Sequence, residues 1–426
     1  MTVAPDQNRD EVRAEVRAWL AEHWDPGIDA REWRGLSVDA GWACPSWPEA
    51  WYGRGLDRAL SGVVVEEFTR VGAPAGGLDA TPSHLPIELH IGGNVIVTLA
   101  RDSLKRRMLR PILMGELRGC LLYSEPGAGS DLAALQTRAE RDGDEWVVNG
   151  QKVWTTAGFG ADFGLLIART DWDQPKHSGI SYFILPMHQP GVEVRPIKQM
   201  TGEAHFNEVF LTDARTPADH LIGELNDGWR VLRTALAHER VVMGSARGPG
   251  VDDRRLPVGA TVDLIELARR VGKNGDPLVR QALAELYALR RVITWNAERA
   301  AVAAGQGSFS PAASLGKLAM SEVLHRSAGV ASALLGPGGT LYGPTEPDAY
   351  SSNTSLMMAF MNSIGGGSDQ IQRNIIGERI LGLPKDAATD RDVPFRDVPK
   401  AAARREFGSA RAEHREATAV EDRATS

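Results

Sequence analysis

Glu145-Trp146-Val147-Val148-Asn149-Gly150-Gln151-Lys152-Val153-Trp154-Thr155-Thr156 is the stretch that decides the fold class. β-Branched and aromatic residues flank Asn149-Gly150 on both sides, and Asn-Gly suits a tight type I′ turn. The segment therefore predicts a hairpin with strands over 145–148 and 151–156. Further strand candidates follow at Phe163 to Ala168, Ile180 to Leu185, Val192 to Pro196 and Asn207 to Leu211, separated by Gly, Pro and Asp. No helical crossover fits between them, so a small antiparallel barrel or sandwich is the natural closure.

On either side the period changes from two to that of a helix. Val12, Val16, Trp19 and Leu20 form one apolar face, and Leu56, Leu60, Val63, Val64 and Phe68 form another across 55–71. Leu104, Met108, Leu109 and Leu113 predict a third helix interrupted by Pro111. Beyond Gly223, residues 226–246, 278–304, 311–335 and 368–381 read as four long helices, which implies a bundle. The fold class is mainly α with a central β-domain. Its expected parts are a helical domain over 1–118, a β-domain over 119–222, a helical bundle over 223–384 and a charged tail over 385–426. That tail is rich in alanine and poor in large apolar residues, and is expected to be flexible or draped on the surface.

Composition narrows the class of function. A formal net charge of -7 argues against a protein held to nucleic acid by phosphate contacts. The two cysteines, Cys44 and Cys120, form no C-x-x-C pair and suggest neither a disulfide framework nor a zinc site. With a polar N-terminus and no long apolar run, the expectation is a cytoplasmic protein without a membrane span. No dinucleotide fingerprint or P-loop is present, so a nucleotide cofactor would have to be held in another way.

Four segments could carry chemistry. Tyr123-Ser124-Glu125-Pro126-Gly127-Ala128-Gly129-Ser130-Asp131 is a small-residue loop able to cradle a ring edge or a phosphate, or else an ordinary turn. Trp154 and Thr156, two apart on a strand, put an aromatic plane beside a hydroxyl, or else form a half-buried strand face. On the helix from Asn226-Asp227-Gly228, Glu239 falls on the stripe of Trp229, Leu232, Leu236 and Met243. A carboxylate there is costly unless paired or protonated. It is either a base with a raised pKa, or a side chain that snorkels to the rim or pairs with an Arg such as Arg290 or Arg291. His238 beside it has no second ligand at metal spacing, and no metal site is expected. Gly365-Gly366-Gly367-Ser368-Asp369-Gln370 opens the last helix, with Ser368 as N-cap, and is an anion- or ligand-facing end or simply a capped loop.

Together these segments resemble the acyl-CoA dehydrogenase family over residues 8–384, through YSEPGAGSDL at 123–132, NGQKVWTT at 149–156 and GGGSDQIQRNIIGERILGLP at 365–384. The resemblance implies an N-terminal helical domain, a middle antiparallel β-barrel and a C-terminal four-helix bundle. It implies FAD as cofactor, held by Tyr123, Ser124, Gly129, Ser130, Trp154, Thr155, Thr156, Ser368 and Gln370. Ser130, Arg240, Gly366 and Gly367 are implied on the substrate side. Many members carry a catalytic Glu where this chain has Gly366. A subset instead places it on the first helix of the bundle, before an Arg, which here is Glu239-Arg240. The implied reaction is removal of the α-proton by Glu239 as the β-hydrogen leaves as hydride to flavin N5, giving a trans-2-enoyl-CoA.

Residues 250–276 lack the Arg-x-x-Phe-Gly that many homomeric relatives send to a neighbour's FAD site, and Leu335-Gly336 lacks their Gln. The chain is similar in this to actinobacterial members acting on bulky acyl-CoAs, some of them heteromers. A homodimer, a homotetramer and a heteromer with a paralogue all stay open, with an electron-transfer flavoprotein as the implied oxidant. Competing readings are a flavin oxidase or monooxygenase on the same fold, a carrier-protein thioester as substrate, and a partner subunit completing another chain's FAD site.

Overall fold

The computed structural model describes residues 9–74, 87–244, 257–258, 262–305, 312–343, 345–385, 387 and 390–399. They fall into two compact units, one within 1–118, 198–203 and 233–385, the other within 119–197, 204–232 and 386–426.

The first unit begins with helices α1 (Arg9–His23), α2 (Ala30–Asp39), α3 (Ser61–Arg70), α4 (Ile87–Leu99) and α5 (Asp102–Leu113). Val12, Val16 and Leu20 of α1 pack with Leu56, Leu60, Val63, Val64 and Phe68, so both expected apolar faces meet in one core. The second of those helices starts later than expected, at Ser61, after a single 3-10 turn over Arg58–Leu60. Asp29 caps α2 by accepting from the amides of Arg31 and Glu32. Pro111 does not interrupt α5, which runs on to Leu113.

Eight strands make the sheet of the second unit: β1 (Gly119–Leu122), β2 (Arg138–Asp142), β3 (Glu145–Thr156), β4 (Phe163–Arg169), β5 (Ile180–Pro186), β6 (Val192–Ile197), β7 (Phe206–Pro217) and β8 (Leu221–Ile222). The order is β6-β7-β3-β2-β4-β5-β8, and β1 pairs with β4. The sheet is not wholly antiparallel, since β1 and β2 both run parallel to β4. Its ladder is an open path from β6 to β8 rather than a closed barrel. Trp146, Val148, Leu166, Phe183, Leu185, Val209 and Leu211 share one buried core.

The expected hairpin turn at Asn149-Gly150 is not there. β3 is one continuous strand, and the turn into it lies at Gly143, with φ 59. Against β7 the register slips between Val148 and Gly150, so Asn149 faces two residues, Thr212 and Asp213. Asp213 takes φ 53, and its amide and carboxylate bond the Asn149 side chain at 3.0 and 3.0 Å. Asn-Gly here supplies a β-bulge, where Gly150 also leaves room for Thr137.

After β8 come α6 (Gly228–Gly244), α7 (Leu264–Arg270), α8 (Pro277–Gly305), α9 (Ala312–Leu335), α10 (Pro347–Ile364) and α11 (Asp369–Arg379). α9 packs against α8, α10 and α11. The sequence reading missed α10, whose polar Tyr350 to Thr354 run hides the helical stripe. Within the second unit, Gly228 abuts Ser181, where a Cβ would come within 2.5 Å of main chain. Asn226 is pinned there by Thr170 and Ser181 at 2.6 and 2.8 Å.

Of the two alternatives for the tail, flexible or draped on the surface, residues 390–399 take the draped one. Phe395 is fully buried beneath the Arg169 guanidinium, 3.4 Å from ring centre to carbon. Its amide donates to Gln174 O at 2.9 Å and that of Arg396 to Trp172 O at 2.9 Å. Lys176 bonds Asp390 at 3.0 Å. Residues 400–426 lie outside the described residues. Cys44 and Cys120 are buried thiols, in no disulfide. No described helix is long and apolar enough to cross a membrane.

Candidate active site

Seven of the expected contacts lie on the second unit. The Tyr123–Asp131 loop doubles back through paired bonds between Glu125 and Ala128, each 3.0 Å. It docks along β3, where the amide of Val153 donates to Ser124 O at 2.9 Å. This brings Ser124 beside the last residues of β3. There the register against β7 slips again, between Lys152 and Thr155, and Trp154 takes φ 62.

That second bulge breaks the simple alternation of the strand. Trp154 is 59% exposed, and its ring meets the edge of Phe206 at 6.0 Å. Phe206 is the cross-strand partner of Thr156, so Trp154, Thr156 and Phe206 share one face. The expected aromatic-plus-hydroxyl pair therefore exists, by a bulge rather than by regular alternation. A large aromatic residue held exposed at positive φ is unfavourable on both counts for the fold alone.

The other expected contacts are placed differently. Thr155 turns inward, 1% exposed, and its hydroxyl has no partner among the described residues. Its side chain is therefore not on the Trp154 face. Tyr123 is buried with its hydroxyl 2.5 Å from that of Tyr182, which leaves its main chain for any ligand contact. Gly129 and Ser130 are exposed at the loop's end. Asp131 next to them bonds Lys176 at 3.2 Å, the lysine that also holds Asp390.

Behind the loop lies an ion pair that the sequence reading did not single out. Lys152 is fully buried and its Nζ donates to Tyr123 O at 3.1 Å and Glu125 Oε1 at 2.9 Å. Glu125 also accepts from the amides of Gln136 and Thr137, at 2.7 and 2.9 Å. Burial pushes the Glu125 carboxyl up, but Lys152 and these hydrogen bonds more than offset it and hold it below the ordinary range. Burial pushes the Lys152 ammonium down, with Glu125 opposing only in part. Arg169, buried and pushed down to about 10 by desolvation, donates to Ala133 O at 2.8 Å and Leu135 O at 3.3 Å, just after the loop. A charged residue at a core position of a strand pattern is the signal that could have found Lys152 and Arg169.

The remaining expected residues lie on the first unit. Glu239 sits on α6, half-buried, four residues after the fully buried Ala235 and eight after Val231. Of the expected stripe Leu232 is fully buried, while Leu236 and Glu239 are both half-buried. Arg240 follows on the helix, and its side chain, like that of Met243, lies outside the described residues. Gly366 and Gly367 both take positive φ, at 65 and 86. Ser368 caps α11 through Ile371 N at 3.3 Å, as expected, and Gln370 is exposed in the first turn. The fully buried Gln372 holds the turn by donating to Gly366 O and Gly367 O at 3.1 and 3.3 Å. Under it, the fully buried Lys317 and Ser321 bond Asp369 at 3.1 and 2.8 Å. Among the described residues, no group of three or more His, Cys, Asp or Glu could hold a metal.

With this geometry in hand, the comparisons with known proteins agree. The acyl-CoA dehydrogenase N-terminal domain matches residues 5–116, its middle domain 120–214 and its C-terminal domain 226–381. The chain belongs to the acyl-CoA dehydrogenase family, and its reaction is acyl-CoA dehydrogenation. It is similar to the acyl-CoA dehydrogenase IpdE1 of Mycobacterium tuberculosis (strain ATCC 25618 / H37Rv), at 38% identity over 406 residues, 89% of this chain and 99% of that protein. Among solved structures it resembles the Tcur3481-Tcur3483 steroid ACAD, with TM-score 0.68 and 27% identity, covering 91% of this chain and 100% of the other. It also resembles a chain of the ChsE4-ChsE5 complex from Mycobacterium tuberculosis, with TM-score 0.63 and 28% identity, covering 91% and 100%. The family is FAD-dependent. The exposed, positive-φ indole of Trp154, with Thr156 two residues along the same strand and Ser124 docked on its neighbour Val153, fits a planar ring with polar edge atoms.

Proposed function

We propose that this chain uses FAD to convert an acyl-CoA to its trans-2-enoyl-CoA, with Glu239 as the base. The observation that carries the reading is Trp154, kept exposed at φ 62 beside Ser124 and Thr156, where folding alone gives it no reason to be. FAD, when bound, accepts the β-hydrogen as hydride at its N5. Trp154 packs on the flavin ring, and Thr156, Ser124 and the main chain at Tyr123 and Thr155 bond its edge. Gly129, Ser130, Ser368 and Gln370 hold the rest of the cofactor. Ser130, Arg240 and Gly367 contact the substrate.

Glu239 removes the α-proton at its carboxylate. Its place on the first helix after the sheet, immediately before Arg240, supports that role, as in the subset of the family that carries its Glu there. The amide of Gly366 donates to the thioester carbonyl as negative charge builds there. A glycine at φ 65 keeps that donor while dropping the side chain that serves as base in many relatives.

The likeness to a steroid ACAD and to IpdE1 supports a bulky acyl group, as in steroid side-chain breakdown. The likeness to the ChsE4-ChsE5 complex supports assembly with a paralogue over a homodimer or homotetramer. We assign the domains as 1–118, 119–222, 223–384 and a tail over 385–426, place the protein in the cytoplasm, and assign reoxidation to an electron-transfer flavoprotein. The test is an anaerobic visible spectrum of the purified protein, alone and with its paralogue, titrated with saturated acyl-CoAs. Bleaching by bulky acyl-CoAs is expected. A flavin that no thioester bleaches in either preparation would overturn the proposal.

A further inference from the structure

Besides the bond joining them, the two charged ends of the Lys152–Glu125 pair reach three main-chain groups. Lys152 reaches Tyr123 O, and Glu125 reaches the amides of Gln136 and Thr137. The third tether, Val153 N to Ser124 O, starts one residue along β3 from the lysine. The pair thus ties the start of the loop, at Tyr123 and Glu125, and the segment at Gln136 and Thr137 that follows it to the strand residue immediately before the bulge that turns Trp154 outward. Stability gives no reason for this choice. Replacing a buried ion pair by apolar groups of similar volume is often neutral, because desolvation offsets the attraction. What an apolar pair cannot do is fix a carbonyl and two amides at set distances.

We propose that Lys152 and Glu125 are positioning residues, which set the main chain of Tyr123 and Ser124 beside Trp154 before FAD arrives. The proposal rests on the reading that this face takes the flavin. Preorganised contacts bind more tightly because the ordering is complete before the ligand comes. Lys152→Met alone leaves a buried carboxylate without its cation and is expected to lower stability as well. The informative variant is therefore the double Glu125→Gln/Lys152→Met, which removes both charges and keeps the volume.

The experiment compares the FAD-free double variant with the FAD-free wild type, in whatever assembly the protein is purified. It reads thermal melting, the Kd for FAD by flavin fluorescence, and the visible circular dichroism of the bound flavin. The double variant is expected to melt with the wild type but bind FAD about ten- to a hundredfold more weakly, with an altered dichroic band. Equal melting with an unchanged Kd and band overturns the proposal. If the wild type binds no FAD even at saturation, the flavin reading itself fails, and this inference with it. Should the double variant not fold, hydrogen exchange on the FAD-free wild type decides. The amides of Gln136, Thr137 and Val153 are expected to be protected before cofactor is added, and exchange at open-loop rates until FAD binds would overturn the proposal.

Discussion

Trp154→Gly separates what the fold needs from what the cofactor needs. Glycine takes φ 62 without strain, whereas a side chain there costs roughly 1–2 kcal/mol. Against that relief stands the packing the indole provides. At 59% exposure, less than half of a large side chain is buried, roughly 100 Å² or less, which is worth about 2.5 kcal/mol as an upper bound and less against a compact unfolded chain. The two nearly cancel, so the FAD-free glycine variant should melt close to the wild type. Trp154→Ala loses the same packing but keeps the strain, and should melt a few degrees below the glycine variant. Both should bind FAD more weakly, since stacking on an aromatic side chain is worth about 1–3 kcal/mol, or about five- to a hundredfold in Kd. Differential scanning fluorimetry and flavin fluorescence read the two quantities separately. An unchanged Kd for FAD in both variants, or a glycine variant melting well below the alanine variant, would refute the reasoning.

Glu239→Gln should retain FAD but lower turnover about a hundred- to ten-thousandfold, since the proton has no acceptor; near-normal acyl-CoA turnover would remove Glu239 as the base. Glu67 is bonded by Arg13, Arg17 and Arg70, and its carboxyl is lowered from 4.5 to about 2, chiefly by the hydrogen bond from Arg17. A depressed carboxylate adds stability that is complete above about pH 4.5 and is lost as pH falls toward about 2. The melting gap between wild type and Glu67→Gln should therefore narrow through that window, and an equal gap at about pH 3 and pH 6 would contradict it. Phe395→Ala removes the ring under Arg169, so limited proteolysis within 385–400 should quicken severalfold; wild-type resistance would mean that the other tail contacts suffice.

The order of helices, sheet and helices was legible because period is a local property, and two to four residues of pattern report which face is buried. The strands over 163–168, 180–185 and 192–196 were found nearly in full, as β4, β5 and β6. β7 was cut short at Leu211, because its continuation depends on the bulge at Asp213, and the partner of that bulge, Asn149, is 64 residues away. The same pairing explains Asn149-Gly150. The dipeptide favours a turn, but the ladder with β7 holds both of its neighbours in one strand. α10 was missed because small polar residues, among them the buried Ser351 and Ser352, serve as its core side.

The candidate site divides along the same line. Residue types at short spacing pointed to Trp154 and Thr156 and to Ser368 as a helix cap, whereas the exchange of Gly366 for Glu239 came from the family resemblance. The core position of Lys152 in its strand was a signal, but its partner Glu125 and the Lys317–Asp369 pair were out of reach, since a charge reads as solvated until its partner is known. So was the anchoring of the tail, where a single Phe395 amid charged residues found a cation 226 positions earlier, at Arg169. By itself the sequence determined which segments are helical or extended and which types of group can do the chemistry, because those depend on neighbours along the chain. Only the tertiary structure decided where strands bulge, which charges are buried and what covers them, because each of those outcomes is set by a partner that is distant in sequence and adjacent in space.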